Sequence, residues 1–274
     1  MSAECRICPH HCRIEDDRLG RCRARGARNG EVVDLNYGRL TSAGLDPIEK
    51  KPLARFFPGS MILSVGSYGC NFRCGFCQNH SISMCGPDER YEYCSPEQLT
   101  NAAVRLVPEG NIGVAYTYNE PLIGYEFVRD TSRLIHEAGL KNVVVTNGFI
   151  NKEPLRELLP LIDAFNIDLK AFSEEFYHRI GGRLETVKDS IRLACGTSHV
   201  EVTTLIVPGL NDSETEMEAL SSWLAGVSPD IPLHITRFFP RFEMLDTEPT
   251  PVADILRLAD IARQHLRYVY EGNI

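Results

Sequence analysis

Three cysteines in one short loop are the residues of this sequence best suited to chemistry. Cys70, Cys74 and Cys77 have the spacing C-x3-C-x2-C and directly follow a predicted strand. Cysteine thiolates hold iron–sulfur cubanes, usually with one thiolate for each of the four irons. Three thiolates without a fourth in the loop leave one iron open to another ligand. A zinc ion completed by Cys85, by His80 or by a residue of the N-terminal cysteine set is the alternative.

A second set of cysteines lies at the N-terminus and is complete in itself. Cys5, Cys8, Cys12 and Cys22 supply four thiols, and the His-His pair beside them could replace one. Four ligands indicate a closed structural site. Zinc and a second iron–sulfur cluster fit this spacing equally well. Zinc would make the segment a folded cap, whereas a cluster would indicate an electron relay.

Composition and charge limit the function classes. The chain has 274 residues, 43% of them hydrophobic and 24% charged, and a net charge of −8. This balance is typical of a globular protein and argues against a nucleic-acid or anionic-membrane partner. The N-terminal residues contain no secretory signal, and no stretch approaches the roughly 18 apolar residues of a membrane span. We therefore expect a soluble, cytoplasmic protein, in which ten cysteines indicate metal or redox chemistry rather than disulfides.

The elements that must position the cysteine loop begin near residue 61. Six short apolar runs have the length and composition of buried strands: Met61–Val65, Ile112–Tyr116, Asn142–Thr146, Ala164–Asp168, Val200–Val207 and Leu233–Phe238. Helical patterns separate them, one starting at the Ser95-Pro96 pair and a last one at Thr250-Pro251. Strands that alternate with helices predict a parallel sheet, either an open partial barrel or a doubly wound sheet. In both folds, chemistry collects at the carboxyl ends of the strands.

The N-terminal residues predict a separate segment. Residues 1–58 are rich in Cys, Arg and Gly and show one convincing strand, around Glu31–Tyr37. Few apolar side chains are available for a core, so metal is the expected organiser. The segment Asp46–Pro52 has a loop composition, and we place the division near residue 59, with the barrel over 59–274.

Polar residues follow several predicted strands. These are Asn119 and Glu120, Thr146 and Asn147, Asp168 and Lys170, and, within the last strand, His234 and Arg237. Each has a structural alternative: a helix start, an ordinary turn, a rim salt bridge and a satisfied core histidine. Their common position at strand ends favours function.

The cysteine loop after the first strand resembles that of the radical S-adenosylmethionine (SAM) superfamily. The run Cys-x2-Cys-Gln-Asn ending at Asn79 is similar to the pyruvate formate-lyase activating enzyme branch. The whole chain, including the Asp46–Pro52 motif, is similar to the radical SAM member of the AmmeMemoRadiSam system. Relatives in that group often carry a further cysteine pair near the C-terminus, which the residues up to Ile274 do not contain.

The resemblance implies a fold, a cofactor set and a reaction. The fold is an α/β partial (β/α)6 barrel, and the cofactors are a 4Fe-4S cluster on Cys70, Cys74 and Cys77 together with SAM. Reductive cleavage of SAM gives a 5′-deoxyadenosyl radical that takes a hydrogen atom from a substrate. The resemblance implies cofactor contacts from Asn79, Asn119, Glu120, Thr146, Asn147, Asp168, Lys170 and His234, with Asp168 and Lys170 also facing substrate. It places the Val207–Asn211 loop near the adenine.

Three functions follow for testing. The first is an enzyme that generates a glycyl radical on a partner protein, with flavodoxin or ferredoxin as electron donor. The second is radical chemistry on a small molecule or on another residue. The third is a non-catalytic iron- or zinc-binding scaffold.

Overall fold

The N-terminal segment contains more strand than its sequence predicts. A computed structural model describes all 274 residues. The first strands form two antiparallel pairs, β1 (Ser2–Glu4) with β2 (Arg13–Glu15) and β3 (Arg25–Arg28) with β4 (Glu31–Asp34); a short β5 (Arg39–Leu40) follows. The prediction of a single strand around residues 31–37 is therefore corrected, because this strand is one arm of a hairpin with β3. Strands this short and rich in Arg, Glu and Gly lack the apolar alternation that reveals strands in sequence.

The rest of the chain alternates between strands and helices. In chain order the elements are β6 (Ser42–Pro47), β7 (Met61–Gly66), α1 (His80–Ser83), β8 (Glu92–Tyr93), α2 (Pro96–Arg105), β9 (Asn111–Tyr116), α3 (Tyr125–Glu137), β10 (Lys141–Thr146), α4 (Lys152–Leu158), β11 (Ala164–Asp168), α5 (Glu174–Ile180), α6 (Leu184–Cys195), β12 (His199–Ile206), α7 (Glu214–Val227), β13 (Leu233–Arg237), α8 (Val252–Ala262) and β14 (Val269–Gly272). None of these helices is both long and apolar enough to span a bilayer.

One eight-stranded sheet forms the body of the protein. Its order is β14-β13-β12-β11-β10-β9-β7-β6, and every neighbouring pair is parallel except β6 with β7. The six predicted strands are confirmed as β7 and β9 to β13, each within a residue or two at its ends. The predicted partial barrel of six strand–helix units is confirmed, and β6 and β14 extend it at its two edges.

The segment predicted as a loop over residues 46–52 is partly strand. β6 pairs with β7 from Ser42 opposite Gly66 to Pro47 opposite Met61, and a 3-10 turn over Ile48–Lys50 follows. Pro47 is tolerated there because it closes an edge strand, where no further donor is needed. The sheet thus begins before the division expected near residue 59, and that division stays a prediction.

Residues after β6 close the lower end of the barrel. A small apolar cluster joins this segment to residues of four strands; its members are Ile48, Leu53, Phe56, Ile62, Ala115, Val143 and Ala164. We call this cluster the floor. Glu201 fixes the segment from above by accepting hydrogen bonds from the backbone N–H groups of Ala54 and Arg55, at 2.9 and 2.7 Å. The floor therefore packs the segment after β6 against the interior of the sheet.

The helices cover the outer face of the sheet as predicted. Ser95 and Gln98 form the expected capping box at the start of α2, with the Ser95 N–H donating to Gln98 Oε1 at 2.8 Å. The last helix begins at Val252 and buries the predicted apolar stripe, including Ile255 and Leu258. Burial of these stripes against the strands supplies most of the helical stability.

Candidate active site

A large cavity lies at the carboxyl ends of the strands. Its volume is about 770 Å³, and its lining includes all three cysteines of the loop. The same cavity is lined by every strand-end residue for which the sequence implies a cofactor contact: Asn79, Asn119, Glu120, Thr146, Asn147, Asp168, Lys170 and His234. Residues from five separate segments are therefore brought to one place, which is what parallel strands that end at a common edge predict.

The cysteine loop forms part of the cavity wall. All three of its cysteines line the cavity, and the backbone N–H of Phe72 donates to Cys70 Sγ at 3.3 Å. Phe72 and Phe76 are buried beside them, as expected for side chains that keep water from a cluster. Donors to sulfur and a dry surrounding are the features that tune iron–sulfur centres. His80 and Cys85, the candidate zinc ligands beside the loop, are not among the lining residues.

Gly69 permits the close approach of the N-terminal segment to this loop. Its φ is +87°, and a Cβ atom there would lie 2.4 Å from the carbonyl oxygen of Cys22. Neither the conformation nor the space admits another residue. The residue before Cys70 is consequently in contact with the second cysteine set.

Glu120 is a buried carboxylate directed into the cavity. Oε1 accepts hydrogen bonds from Thr146 Oγ1 at 2.7 Å and from the Leu122 N–H at 2.9 Å, and Oε2 accepts from the Asn147 N–H at 2.8 Å. Burial raises the pKa of Glu120 to about 7, although these donors act in the opposite direction. A cationic group that approached Oε2 would stabilise the ionised form, so the site is suited to an ammonium ligand. A helix start, the structural alternative for this segment, is present as the 3-10 turn Pro121–Gly124, but its N-cap is Glu120 and not the expected Asn119.

Three asparagines of the cavity wall hold the cysteine loop and its neighbours in place. Asn119 accepts from the Ser67 N–H at 3.0 Å and donates to the Gly69 carbonyl at 3.0 Å. Asn147 Nδ2 donates to Cys70 Sγ at 3.7 Å, and Asn79 Nδ2 donates to a backbone carbonyl of the neighbouring strand end at 2.7 Å. The three asparagine side chains therefore bond mainly to other protein groups, and their role is to hold the cysteine loop and the neighbouring strand end in position.

The backbone at Tyr118 has a conformation that normally belongs to glycine. Its φ is +71°, and its carbonyl is the acceptor for Asn79. Tyr118 keeps the left-handed conformation because Asp46 accepts from its hydroxyl at 2.9 Å and because buried Lys51, which bonds Asp46 at 2.8 Å, lies 5.0 Å from its ring centre. The motif around residues 46–52 thus supports the site from below, a role that its loop-like sequence did not predict.

Asp168 and Lys170 form an ion pair inside the cavity, with 2.8 Å between Oδ2 and Nζ. Burial opposes the charge of Lys170, but Asp168 and the Cys74 sulfur raise its pKa above the ordinary value. The predicted salt bridge is present, and both groups also line the cavity. A cation held beside Cys74 would offset part of the negative charge of metal-bound thiolates.

Glu201 holds the lining residue His234 in place, and the sequence analysis missed it. It is fully buried and bonds His234 at 2.6 Å and His199 at 2.8 Å. Burial alone would raise the pKa of Glu201, but the two histidines and the backbone N–H groups of the floor segment lower it to about 2. A glutamate within the run Val200-Glu201-Val202 was the available signal, since an acidic residue in a buried strand needs partners. His234 therefore lines the cavity in an orientation fixed by Glu201.

Two further sequence expectations lie outside the cavity. Arg237 turns away and donates from Nε to the Thr250 carbonyl at 2.6 Å. The loop from Val207 is also absent from the lining; its Asn211 donates to the Lys170 carbonyl at 2.7 Å instead. The Asn211 side chain hydrogen-bonds to backbone groups on both sides of the loop. These bonds hold the loop against the protein, so that it does not enter the cavity.

Comparisons with known proteins decide the family. The radical SAM superfamily model matches residues 64–221, the stretch that carries the cysteine loop and most of the cavity wall. The chain belongs to the radical SAM superfamily. An uncharacterized protein of Methanocaldococcus jannaschii is 40% identical over 275 residues, 98% of this chain and 81% of that protein. The pyruvate formate-lyase 1-activating enzyme of Escherichia coli K12 is 27% identical over 161 residues, 57% of this chain and 65% of that enzyme.

Solved structures agree on the fold of this radical SAM protein. A radical SAM methyltransferase from Sphaerobacter thermophilus superposes with a TM-score of 0.59 at 18% identity, covering 79% of this chain and 67% of that one. Superfamily membership implies a 4Fe-4S cluster and SAM. The residues fit both groups, since three cysteines, Cys74 buried and the other two partly exposed, line a cavity that a carboxylate, an ion pair and several amides also line.

Proposed function

We propose that this radical SAM protein cleaves SAM reductively at a cluster held by Cys70, Cys74 and Cys77, and that it abstracts a hydrogen atom from the glycine of a partner protein. The observation that carries the proposal is that one cavity gathers the three cysteines, Glu120 and the Asp168–Lys170 pair. When bound, the cluster supplies the electron that breaks the sulfonium C–S bond, and SAM supplies the radical that removes the hydrogen atom.

The chain's own residues would orient SAM and exclude water. Glu120 would accept from the SAM ammonium through Oε2, which has one protein donor. Asn79 would hold the Tyr118 backbone in the conformation that faces the amino group. Lys170, anchored by Asp168, would face the negatively charged end of the ligand or the substrate. Phe72 and Phe76 would keep solvent from the cluster, as radical chemistry needs a dry site.

The relatives support a protein substrate, and the cavity supports a second candidate. The matched relative from Escherichia coli is named as an activating enzyme, which favours a partner polypeptide that carries the target glycine. A volume of about 770 Å³ is also in the range of small-molecule sites, which favours a compact substrate lying beside SAM. In either case, a low-potential donor such as flavodoxin or ferredoxin would supply the electron, in the reducing environment of the cytoplasm.

Anaerobic reconstitution tests the chemistry. Protein loaded with iron and sulfide, reduced with dithionite and mixed with SAM should release 5′-deoxyadenosine, and the Cys74→Ala variant should not. Failure of the fully loaded protein to form any 5′-deoxyadenosine would favour the scaffold hypothesis.

Electron paramagnetic resonance (EPR) then separates the two substrate classes. A glycyl radical signal in a mixture with a candidate partner protein supports the activating role. Deuterium transfer from a labelled small molecule into 5′-deoxyadenosine, without a protein radical, would support the second candidate.

A further inference from the structure

Arg73 is an exposed cation within the cysteine loop. It lies between two of the proposed cluster ligands, Cys70 and Cys74. Its neighbours Phe72 and Cys74 line the cavity, whereas Arg73 is exposed and does not line it. The loop that would hold the cluster therefore carries a positive charge that is open to solvent outside the cavity.

The end of helix α5 packs directly against this part of the loop. The Arg73 N–H donates to the Ile180 carbonyl at 2.8 Å. The Phe72 ring lies so close to Gly182 that a Cβ there would be 2.6 Å from a ring atom. Gly181, which ends the helix, has a left-handed φ of +86°. This pair of glycines therefore allows the close approach of the helix end to the cysteine loop.

Two further arginines lie at the same pair of glycines. The Arg21 guanidinium covers Gly181 so closely that a Cβ there would overlap it. Arg183 directly follows Gly182. Both arginines are exposed, and neither they nor Arg73 have a carboxylate within salt-bridge distance. We call Arg21, Arg73 and Arg183 the arginine patch.

His10 shows that charges from distant parts of the chain act at one place. Its Nε2 donates to the Asn71 carbonyl at 2.9 Å, beside the cysteine loop. Burial lowers the pKa of His10, the bond to Asn71 acts in the opposite direction, and the charges of Arg21 and Arg183 lower it further. Both guanidinium groups are therefore near the same imidazole.

The acidic residues of α5 have partners of their own. Glu175 pairs with Arg179 on the same helix. Glu174 accepts hydrogen bonds from the backbone N–H groups of Leu184 and Glu185 at the start of α6, at 3.2 and 3.3 Å. Neither carboxylate is paired with an arginine of the patch, so the patch remains a concentration of positive charge.

The patch differs in sign from the protein as a whole. The chain carries a net charge of −8. Next to Gly75 in the same loop, the exposed Glu243 lies close by, since its N–H donates to the Gly75 carbonyl at 2.9 Å. The positive surface is therefore limited to the Arg73 side of the loop. An anionic protein would be repelled by the net charge and attracted at the patch.

The position of the patch indicates the class of anionic partner. The cavity side of the cysteine loop is the proposed place of SAM and of the substrate. The patch includes a residue of the same loop but lies outside the cavity. A protein bound there could reach the cluster while SAM fills the cavity. SAM cleavage requires an electron from outside, so a carrier of single electrons fits this position.

We infer that the arginine patch is the docking surface for an acidic one-electron carrier protein, which reduces the cluster across the outer side of the cysteine loop. In each transfer the carrier loses one electron and the cluster gains it, and no bond forms or breaks. The inference rests on the proposed function for the cluster that accepts the electron. Docking itself can be measured without SAM.

The first test uses the unchanged, cluster-loaded protein with reduced flavodoxin, an acidic carrier. Attraction at the patch predicts that cluster reduction slows about tenfold as the salt concentration rises from about 0.02 M to about 0.5 M. Stopped-flow absorbance of the cluster measures the rate. A rate that rises with salt would show that repulsion by the net charge dominates, and a constant rate would show that charge has no part. Either result would overturn the inference.

The second test reverses the charge of the patch. The patch variant combines Arg21→Glu, Arg73→Glu and Arg183→Glu. The matched control changes three exposed arginines of α2, α3 and α4 that also lack salt-bridge partners: Arg105→Glu, Arg133→Glu and Arg156→Glu. Both variants have the same net charge. By calorimetry at low salt and without SAM, the patch variant should bind oxidised flavodoxin at least about tenfold more weakly than the control. Equal affinities would contradict docking at the patch.

Cluster loading is checked separately. Iron content of the patch variant and its reduction by dithionite should match those of the unchanged protein. If the triple variant fails to fold or to load, Arg183→Glu alone tests the inference, because Arg183 lies outside both cysteine sets. It should weaken flavodoxin binding about threefold relative to Arg156→Glu. No difference between these two single variants would overturn the inference.

The readouts separate this inference from the proposed function. If flavodoxin binds at the patch and reduces the cluster while no 5′-deoxyadenosine forms, the proposed function is wrong and the docking surface stands. If dithionite-reduced protein forms 5′-deoxyadenosine while the patch variant binds flavodoxin as tightly as its control, the docking surface is wrong and the SAM chemistry stands.

Discussion

The two cysteine sets of this radical SAM protein lie against each other and differ in what surrounds them. The three cysteines of the barrel loop face a polar cavity of about 770 Å³, whereas the four N-terminal cysteines enclose a small apolar pocket. Three ligands beside an open space leave room for a further ligand, and four ligands in a closed one do not. Cysteine therefore suits a reactive site in the barrel loop and a closed, structural site at the N-terminus.

Loss of a barrel cysteine should have the largest effect. Cys74→Ala should abolish SAM cleavage, because a cubane with two protein thiolates is not held beside Glu120. Cys12→Ala should retain SAM cleavage with dithionite, because the open site remains intact. Product analysis by liquid chromatography measures both, with Cys195→Ala in α6 as the control expected to match the unchanged protein. If Cys12→Ala and Cys74→Ala lost SAM cleavage to the same extent, the proposed difference in role between the two cysteine sets would be wrong.

Loss of the buried carboxylate should be next in size. Glu120→Gln should weaken SAM binding about ten- to a hundredfold, because it removes a charge-assisted hydrogen bond. Glu49→Gln, at the exposed rim of the same cavity, is the matched control and should change affinity little. Calorimetry with reconstituted protein measures both. Unchanged affinity in Glu120→Gln would show that the polar cavity does not bind the SAM ammonium.

Loss of the support beneath Tyr118 should have a smaller effect on SAM. Lys51→Met leaves Asp46 without its buried partner and should destabilise the protein by about 2 kcal/mol. SAM affinity should fall about threefold to tenfold because the left-handed backbone at residue 118 is less firmly held. Lys50→Met is the control, since its ammonium is exposed and lies 3.6 Å from the same carboxylate. Denaturant titration and SAM binding together test this; equal effects of the two variants would contradict it.

Glu201 should affect stability more than SAM chemistry. Its pKa is lowered to about 2 in the folded protein, so its contribution is present above the ordinary glutamate pKa and is lost as pH falls from about 4.5 toward 2. Glu201→Gln should lower the free energy of unfolding by about 3 kcal/mol at pH 7 and should flatten that acid dependence. Unfolding curves at pH 7 and at about pH 3, inside the range where the contribution is lost, are the measurement. A variant with the same acid dependence as the unchanged protein would contradict the assignment.

Much of the barrel and of its site could be predicted from the sequence. Buried strands such as β10 are continuous apolar runs, and residues at their carboxyl ends must meet, so Glu120, Thr146 and Asp168 could be assigned to one place. The edge strand β6 could not be predicted, because Ser42–Pro47 contains Gly, Asp and Pro and obtains its extended form from pairing with β7. Tertiary context overrides local preference there.

The supporting contacts were likewise beyond the sequence. The left-handed backbone of Tyr118 depends on Asp46 and Lys51, which are distant in the chain and have a loop-like pattern. Glu201 gave a local signal, but its partners could not be assigned because they come from the floor segment and from β13. Contacts between such distant residues can be seen only in the assembled fold. The positions of strand ends, in contrast, can be predicted from the hydrophobic periodicity of the sequence.

The most direct test of the account is whether SAM occupies an iron of the cluster at Cys70, Cys74 and Cys77. Electron–nuclear double resonance of the reduced protein with SAM labelled with 17O in the carboxylate and 15N in the amino group measures this contact. We predict hyperfine coupling to both labels in the unchanged protein and none in Cys74→Ala. A fully loaded, reduced protein that binds labelled SAM without coupling to either nucleus would contradict the open iron site.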